Sequence, residues 1–192
     1  MAIRRRKRTP SQIYQLKITL RGIRPPIWRR VQVPGDISLG KLHRIIQAVM
    51  GWDDYHLHQF EVDRTYYGPP SPKDEFWGFE MKNEHLARLN RIAPREKDKF
   101  TYEYDFGDSW KHEILVEKIL PPEEGVRYPR CIKGRRACPP EDCGGIWGYE
   151  NLLEILRDPN HPEHESMLEW SGEFDPEEFD LEAANEALKF VR

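Results

Sequence analysis

The sequence predicts an α+β fold: a curved, mostly antiparallel sheet packed by helices, with a helical C-terminal part. Three observations carry this. Two period-two segments lie on either side of a Pro-Pro bend near the start. The run Phe100, Tyr102, Tyr104, Phe106 alternates with Thr101, Glu103 and Asp105 and returns through turn residues as a hairpin. Helical periodicity appears once between the strands and then dominates beyond residue 145, an order that favours α+β over alternating βαβ units.

Taken in order, Tyr14-Gln15-Leu16-Lys17-Ile18-Thr19-Leu20 alternates as a half-buried strand does. Ile27 to Val33 resumes as its antiparallel partner, with Pro25 and Pro26 at the bend because proline cannot donate to a ladder. Ser38 is placed to cap a helix whose stripe is Leu39, Leu42, Ile45, Ile46, Val49 and Met50, with Gly51 as its stop. His56 to Val62 reads as a third strand. Residues 64–99, rich in Pro, Gly and charge, read as a long irregular connection with a short helix near Glu84–Leu89. Trp110 to Glu117 forms the second arm of the hairpin begun at Phe100, and Asp105 and Asp108 suit its turn. Beyond Pro121-Pro122 comes a loop with three cysteines. Tyr149, Leu152, Leu153 and Leu156 then mark an amphipathic helix, and a second is expected from His164 to Trp170. A last helix is expected from Asp175-Pro176-Glu177-Glu178, with Asp175 as cap and Pro176 in the first turn.

A chain of 192 residues suits one domain, here residues 13–192 behind a flexible basic arm of residues 1–12. Such a chain buries roughly two thirds of its unfolded surface and needs neither disulfide nor metal merely to fold. Six Trp, eight Tyr and eight Phe supply large burial units despite the high charge content, which argues against disorder. No apolar run approaches the ~18 residues of a membrane span. The start has no apolar core of a secretory signal, and the cysteines are odd in number, so a cytoplasmic protein with reduced thiols is expected. Charge is uneven. Arg4, Arg5, Arg6, Lys7 and Arg8 are consecutive cations, whereas residues 139–182 hold fourteen Asp or Glu against the single Arg157. The arm can contact nucleic-acid phosphates or simply be solvated; the acidic body repels them.

Four stretches carry a family resemblance: Pro25-Pro26-Ile27-Trp28-Arg29-Arg30-Val31, Trp52-Asp53-Asp54-Tyr55-His56-Leu57-His58-Gln59-Phe60, Tyr102 through His112, and Ala137-Cys138-Pro139-Pro140-Glu141-Asp142-Cys143-Gly144-Gly145. In this order they resemble the plasmid pRiA open-reading-frame-three-like family, also met as passenger proteins of insertion elements, from about Tyr14 to Leu188. The resemblance implies a compact α+β fold with a curved sheet and an association with mobile-element DNA biology. It implies no assigned biochemical role. The arm at residues 4–8 lies outside the shared region, and the sequence holds no serine-recombinase catalytic core.

Two groups of residues offer chemistry. Cys131, Cys138 and Cys143, with Gly134 and Gly144-Gly145 between and beside them, can converge on Zn²⁺ if a fourth ligand joins them, His112 first and His161 or His164 next. They can equally be small buried hydrophobes, or a reactive thiol. The second group is His56, His58 and His112 with Asp105 and Asp108. The histidines fall on apolar faces of candidate strands, where a free imidazolium is costly. If those strands pair, the three can bind a metal or act as acid and base. Arg29 and Arg30 straddle the two faces of their strand, so at most one can address a ligand. Ser109 lacks a nucleophile elbow, and no glycine-rich phosphate fingerprint is present. The expected function is an interaction or binding module, with nucleic acid or a mobile-element protein as partner and with a cysteine loop that can hold a structural metal, zinc first, or none. The alternative is a metal-dependent hydrolase or nuclease using the His/Asp group.

Overall fold

The structure, a computed structural model, describes residues 12–70, 81–172 and 174–191. The basic run Arg4 to Arg8 lies outside them. Eight strands form one sheet: β1 (Ile13–Leu20), β2 (Trp28–Pro34), β3 (His58–Val62), β4 (Thr65–Gly68), β5 (Met81–Asn83), β6 (Lys99–Tyr104), β7 (Trp110–Leu120) and β8 (Arg130–Arg135). Their spatial order is β5-β4-β3-β6-β7-β1-β2-β8. Every pairing is antiparallel except β4 with β5. Five helices accompany the sheet: α1 (Leu39–Met50), α2 (Leu89–Ile92), α3 (Gly145–Arg157), α4 (His164–Ser171) and α5 (Leu181–Leu188). The predicted α+β class is the observed one, with its helical C-terminal part.

One face of the sheet is apolar and buried. Val33 and Val31 stand beside Tyr14 and Leu16, Ile18 beside Ile114, and Tyr102 and Tyr104 beside His112 and Trp110. The other face carries Gln15, Lys17, Arg30, Glu103, Glu113 and Glu117, so this sheet shows the one-sided wetting open to antiparallel strands. There Arg30 donates twice to the Glu117 carboxylate, at 2.6 and 2.7 Å. That hydrogen bonding raises the Arg30 guanidinium's affinity for its proton and holds Glu117 below the ordinary carboxylate range.

Helix α1 covers the buried face. Ser38 Oγ accepts from the Lys41 amide and Gly51 ends the helix in the left-handed region, as the sequence indicates. Arg29 points to this buried side. Its guanidinium donates to the carbonyls of Val49, Trp28 and Arg135 and lies over the Phe179 ring, joining the end of α1 to β2 and β8. Helix α5 meets edge strand β8 through Asn185. Its Oδ1 accepts from the Cys131 amide and its Nδ2 donates to the Cys131 carbonyl, both at 2.9 Å, which occupies an open sheet edge.

Several expectations shift. Strand β3 starts at His58, so His56 belongs to the bend before it. The stretch 64–99 contains β4, β5 and α2, each too short to leave a periodic signal. Its helix lies at Leu89–Ile92, not at Glu84–Leu89. The last helix is capped by Asp180, whose Oδ1 accepts from Ala183; Asp175 instead closes a turn onto the Glu177 amide. Phe106 leaves the aromatic row because Asp105 has a positive φ and turns the chain, and Phe106 is exposed.

Candidate metal centre

The buried face ends in a cleft where α1, the segment before β3 and the segment after β5 meet. Its volume is about 280 Å³, and its lining includes His43, Asp54, His56, His58, Glu84 and His85. Among the described residues, the groups of three or more His, Cys, Asp or Glu whose ligand atoms lie within 4.8 Å of one another are His43/Asp54/His58 and His56/Asp105/Asp142.

His43 enters from α1. It sits four residues from both Leu39 and Gln47, all three buried on the inward side of the helix. Tyr102, from β6, meets it: the Tyr102 hydroxyl lies 2.8 Å from His43 Nδ1 and accepts from Gln47 Nε2 at 2.9 Å. The hydroxyl proton is then free to donate to Nδ1, which leaves the His43 proton on Nε2, where Asp54 Oδ1 accepts it at 2.9 Å. His58, first residue of β3, stacks on His43 with ring centroids 3.5 Å apart and planes 4° from parallel. Its Nε2 lies 2.8 Å from Glu84 Oε2, and the Glu84 carboxyl is itself buried. Gly40 is needed for this approach, because a Cβ there would sit 2.5 Å from the His85 ring and 2.8 Å from Glu84 Oε1.

Electrostatics keep the His43 ring neutral. Burial, and then the neighbouring His58, lower the His43 pKa to about 4. Two imidazolium charges at the stacking distance would repel by about 5 kcal/mol at an effective dielectric constant of about 20. Neutral imidazole is the form that ligates a metal. Two imidazoles and a carboxylate with ligand atoms within 4.8 Å of one another, a further buried carboxylate 2.8 Å from one of them, and an adjoining cleft together form a candidate site for a divalent transition-metal ion.

The sequence-predicted residues are dispersed around this centre. His58 belongs to it. His56 lies at its edge, 3.0 Å from Asp142 and 3.7 Å from Asp105. His112 is fully buried on β7; its Nδ1 lies 3.0 Å from the Trp110 carbonyl oxygen, and burial takes its pKa to about 3. His56, His58 and His112 therefore do not converge: strand β6 separates β3 from β7, and Tyr102 stands between His112 and His43. Asp105 Oδ1 accepts from the Gly107 amide, as the turn reading expects, while Asp108 Oδ2 accepts from the Gly144 amide and ties the hairpin to the cysteine loop.

The three thiols do not meet. Cys131 faces the Arg30 and Lys133 carbonyls, Cys138 lies 3.0 Å from Met50 Sδ, and Cys143 faces the Gly145 carbonyl. Burial raises all three pKa values, Cys138 to about 11 and Cys143 to about 12. No three of Cys131, Cys138, Cys143 and His112 bring ligand atoms within 4.8 Å of one another. His164 Nδ1 lies 3.0 Å from the Ile155 carbonyl oxygen, and His161 Nδ1 accepts from the Glu163 amide. The loop's contribution comes from its carboxylates and carbonyls. Trp52 Nε1 donates to the Pro139 carbonyl, the Asp53 amide donates to Glu141 Oε2, and the Tyr104 hydroxyl donates to Glu141 Oε1. Asp142 then reaches His56.

His43, Asp54, Glu84 and Asp142 escape a reading of the sequence alone. The signal for His43 was its four-residue spacing from Leu39 and Gln47 on an otherwise apolar stripe. Glu84 and Asp142 lie in stretches without periodicity, so only tertiary contact reveals them.

These features define an α+β protein with an open, one-sided sheet and a histidine–carboxylate cleft at the end of its buried face. The family described as plasmid pRiA4b ORF-3-like protein matches residues 12–183, and the chain belongs to that family. It is 39% identical over 176 residues, 91% of this chain and 87% of the relative, to the uncharacterised protein y4hQ of Sinorhizobium fredii strain NGR234. The crystal structure of the protein of unknown function MM3350 from Methanosarcina mazei Go1 superposes with a TM-score of 0.81 at 44% identity. That match covers 90% of this chain and 97% of the other. The four stretches that carry the resemblance are joined in space by the contacts of Arg29 with Cys138, Trp52 with Pro139, Tyr104 with Glu141 and Asp108 with Gly144.

Proposed function

We propose that the protein is a metal-dependent hydrolase that holds one divalent transition-metal ion on His43 Nε2, His58 Nε2 and Asp54. The observation that supports this most is the parallel stack of two buried imidazoles whose Nε2 atoms both face carboxylates beside one cleft. A buried imidazole kept for packing alone has no need of a second ring stacked on it, each answered by its own carboxylate. Ligation through the two Nε2 atoms would require each ring to carry its proton on Nδ1, for His43 directed at the Tyr102 hydroxyl, and would leave the Glu84 carboxylate free to serve as a base. Such an ion would supply an activated water nucleophile, and Glu84 would take that water's proton as its oxygen attacks the phosphorus of a phosphoester substrate. The bond to the leaving oxygen breaks, and that oxygen takes the proton back from Glu84.

The test is hydrolysis of bis(p-nitrophenyl) phosphate, p-nitrophenyl phosphate and single-stranded DNA by metal-free protein supplied with Zn²⁺ or Mn²⁺. The proposal expects metal-dependent turnover of at least one, lost in His58→Ala and reduced at least ~100-fold in Glu84→Gln, the scale of a general base. Turnover without metal, or undiminished in His58→Ala, refutes it. Binding of nucleic acid through Arg4, Arg5, Arg6, Lys7 and Arg8 is a separate proposal, supported by the charge of that run alone.

A further inference from the structure

We infer that the same cleft carries a second divalent-cation site, formed by His56 Nε2, Asp105 Oδ2 and Asp142 Oδ1. The inference rests on the proposed ion at His43, Asp54 and His58. The three ligand atoms come from three separate segments: the bend before β3, the β6–β7 turn and the loop after Cys138. Yet they lie within 4.8 Å of one another.

Two features distinguish this group from an ordinary surface ion pair. His56 Nε2 is shut away from solvent and makes no hydrogen bond of acceptable geometry, although Asp142 Oδ1 is only 3.0 Å from it. The nitrogen therefore stands close to both carboxylates without a hydrogen bond that accounts for the approach. Asp105 is also committed in one direction. Its Oδ1 accepts from the Gly107 amide at 2.9 Å, and its Oδ2 is the oxygen nearest His56, at 3.7 Å.

The surrounding contacts hold the group in place. Tyr104 accepts from the Tyr55 and His56 amides and donates to Glu141. The ring that positions His56 therefore also anchors the residue before Asp142. Because His56 lines the cleft of the first site, a cation held there adds positive charge where an anionic substrate would enter. Two carboxylates and one imidazole make a harder donor set than that of the first site, suited to Mn²⁺ or Mg²⁺.

The test counts ions. Full-length protein stripped with chelator is dialysed against Mn²⁺, and bound metal per chain is measured by elemental analysis. The comparison set is wild type, His56→Gln/Asp142→Asn and His43→Ala/His58→Ala, each checked for fold by near-ultraviolet circular dichroism. Two ions in wild type, falling to one in each double variant, is the expected result. One ion, kept in His56→Gln/Asp142→Asn and lost in His43→Ala/His58→Ala, overturns this inference and leaves the first site standing. One ion with the opposite pattern overturns the first site, and no bound ion overturns both.

Discussion

Acid should weaken this protein through His112. The ring is fully buried, and burial takes its pKa from 6.5 to about 3. The unfolded chain therefore binds a proton there between those values while the folded chain does not, so stability falls as pH drops through that window and levels off below the folded value. Relative to neutral pH, the loss from this group is roughly 1 kcal/mol at about pH 5.5 and roughly 2–3 kcal/mol at about pH 4.5. His43, with its pKa lowered to about 4, adds a loss of similar size over the same range. His112→Phe removes the titration but keeps a ring between Trp52 and Tyr102. It carries a constant penalty of about 1–3 kcal/mol for misfit and for the Trp110 carbonyl left without its partner. Urea unfolding at a series of pH values separates the two effects: the penalty shifts the whole curve, whereas lost titration flattens it. The variant should lose about half as much stability as wild type between neutral pH and pH 4.5. Parallel curves for variant and wild type refute the claim that His112 is held neutral by burial.

Other predictions follow from contacts away from the cleft. Arg30→Ala leaves a largely buried Glu117 with only Gln15 as donor, and should cost about 1–2 kcal/mol in urea unfolding near neutral pH. Because Glu117 has a lowered pKa, that difference is present above the ordinary carboxylate range and closes as pH falls through the folded value; a difference constant with pH contradicts it. All three thiols should react slowly with a disulfide reagent in native protein and fast in urea; a native burst from Cys143 contradicts its raised pKa of about 12. If Arg4 to Arg8 contact phosphates, DNA binding falls steeply with salt, and deletion of residues 1–10 removes it; unchanged binding excludes the arm.

Four of the strands and the first helix were legible because each had a repeating signal. Alternation fixed β1, β2, β6 and β7, and Ser38 and Gly51 bracketed α1. The cleft was legible only in part. His58 could be placed on the buried face by alternation, but its partner comes from α1, and nothing local couples residues 43 and 58. The three-histidine grouping failed because period-two counting extends β3 back through His56, whereas the positive φ of Asp54 marks a turned chain before it. The cysteine loop drew attention by residue type. Its structural weight lies instead in Pro139, Glu141 and Asp142, which grip the segment from Trp52 to His56. Among the described residues no helix is long and apolar enough to cross a membrane.

The imidazole nitrogens themselves give the most direct test of the metal centre. Long-range ¹H–¹⁵N spectra of metal-free protein, assigned with single histidine variants, report each ring separately. On adding Zn²⁺, the Nε2 signals of His43 and His58 should shift together at the first equivalent while those of His112 stay in place. Signals of His43 and His58 that do not move as Zn²⁺ is added would contradict a metal site on the stacked pair.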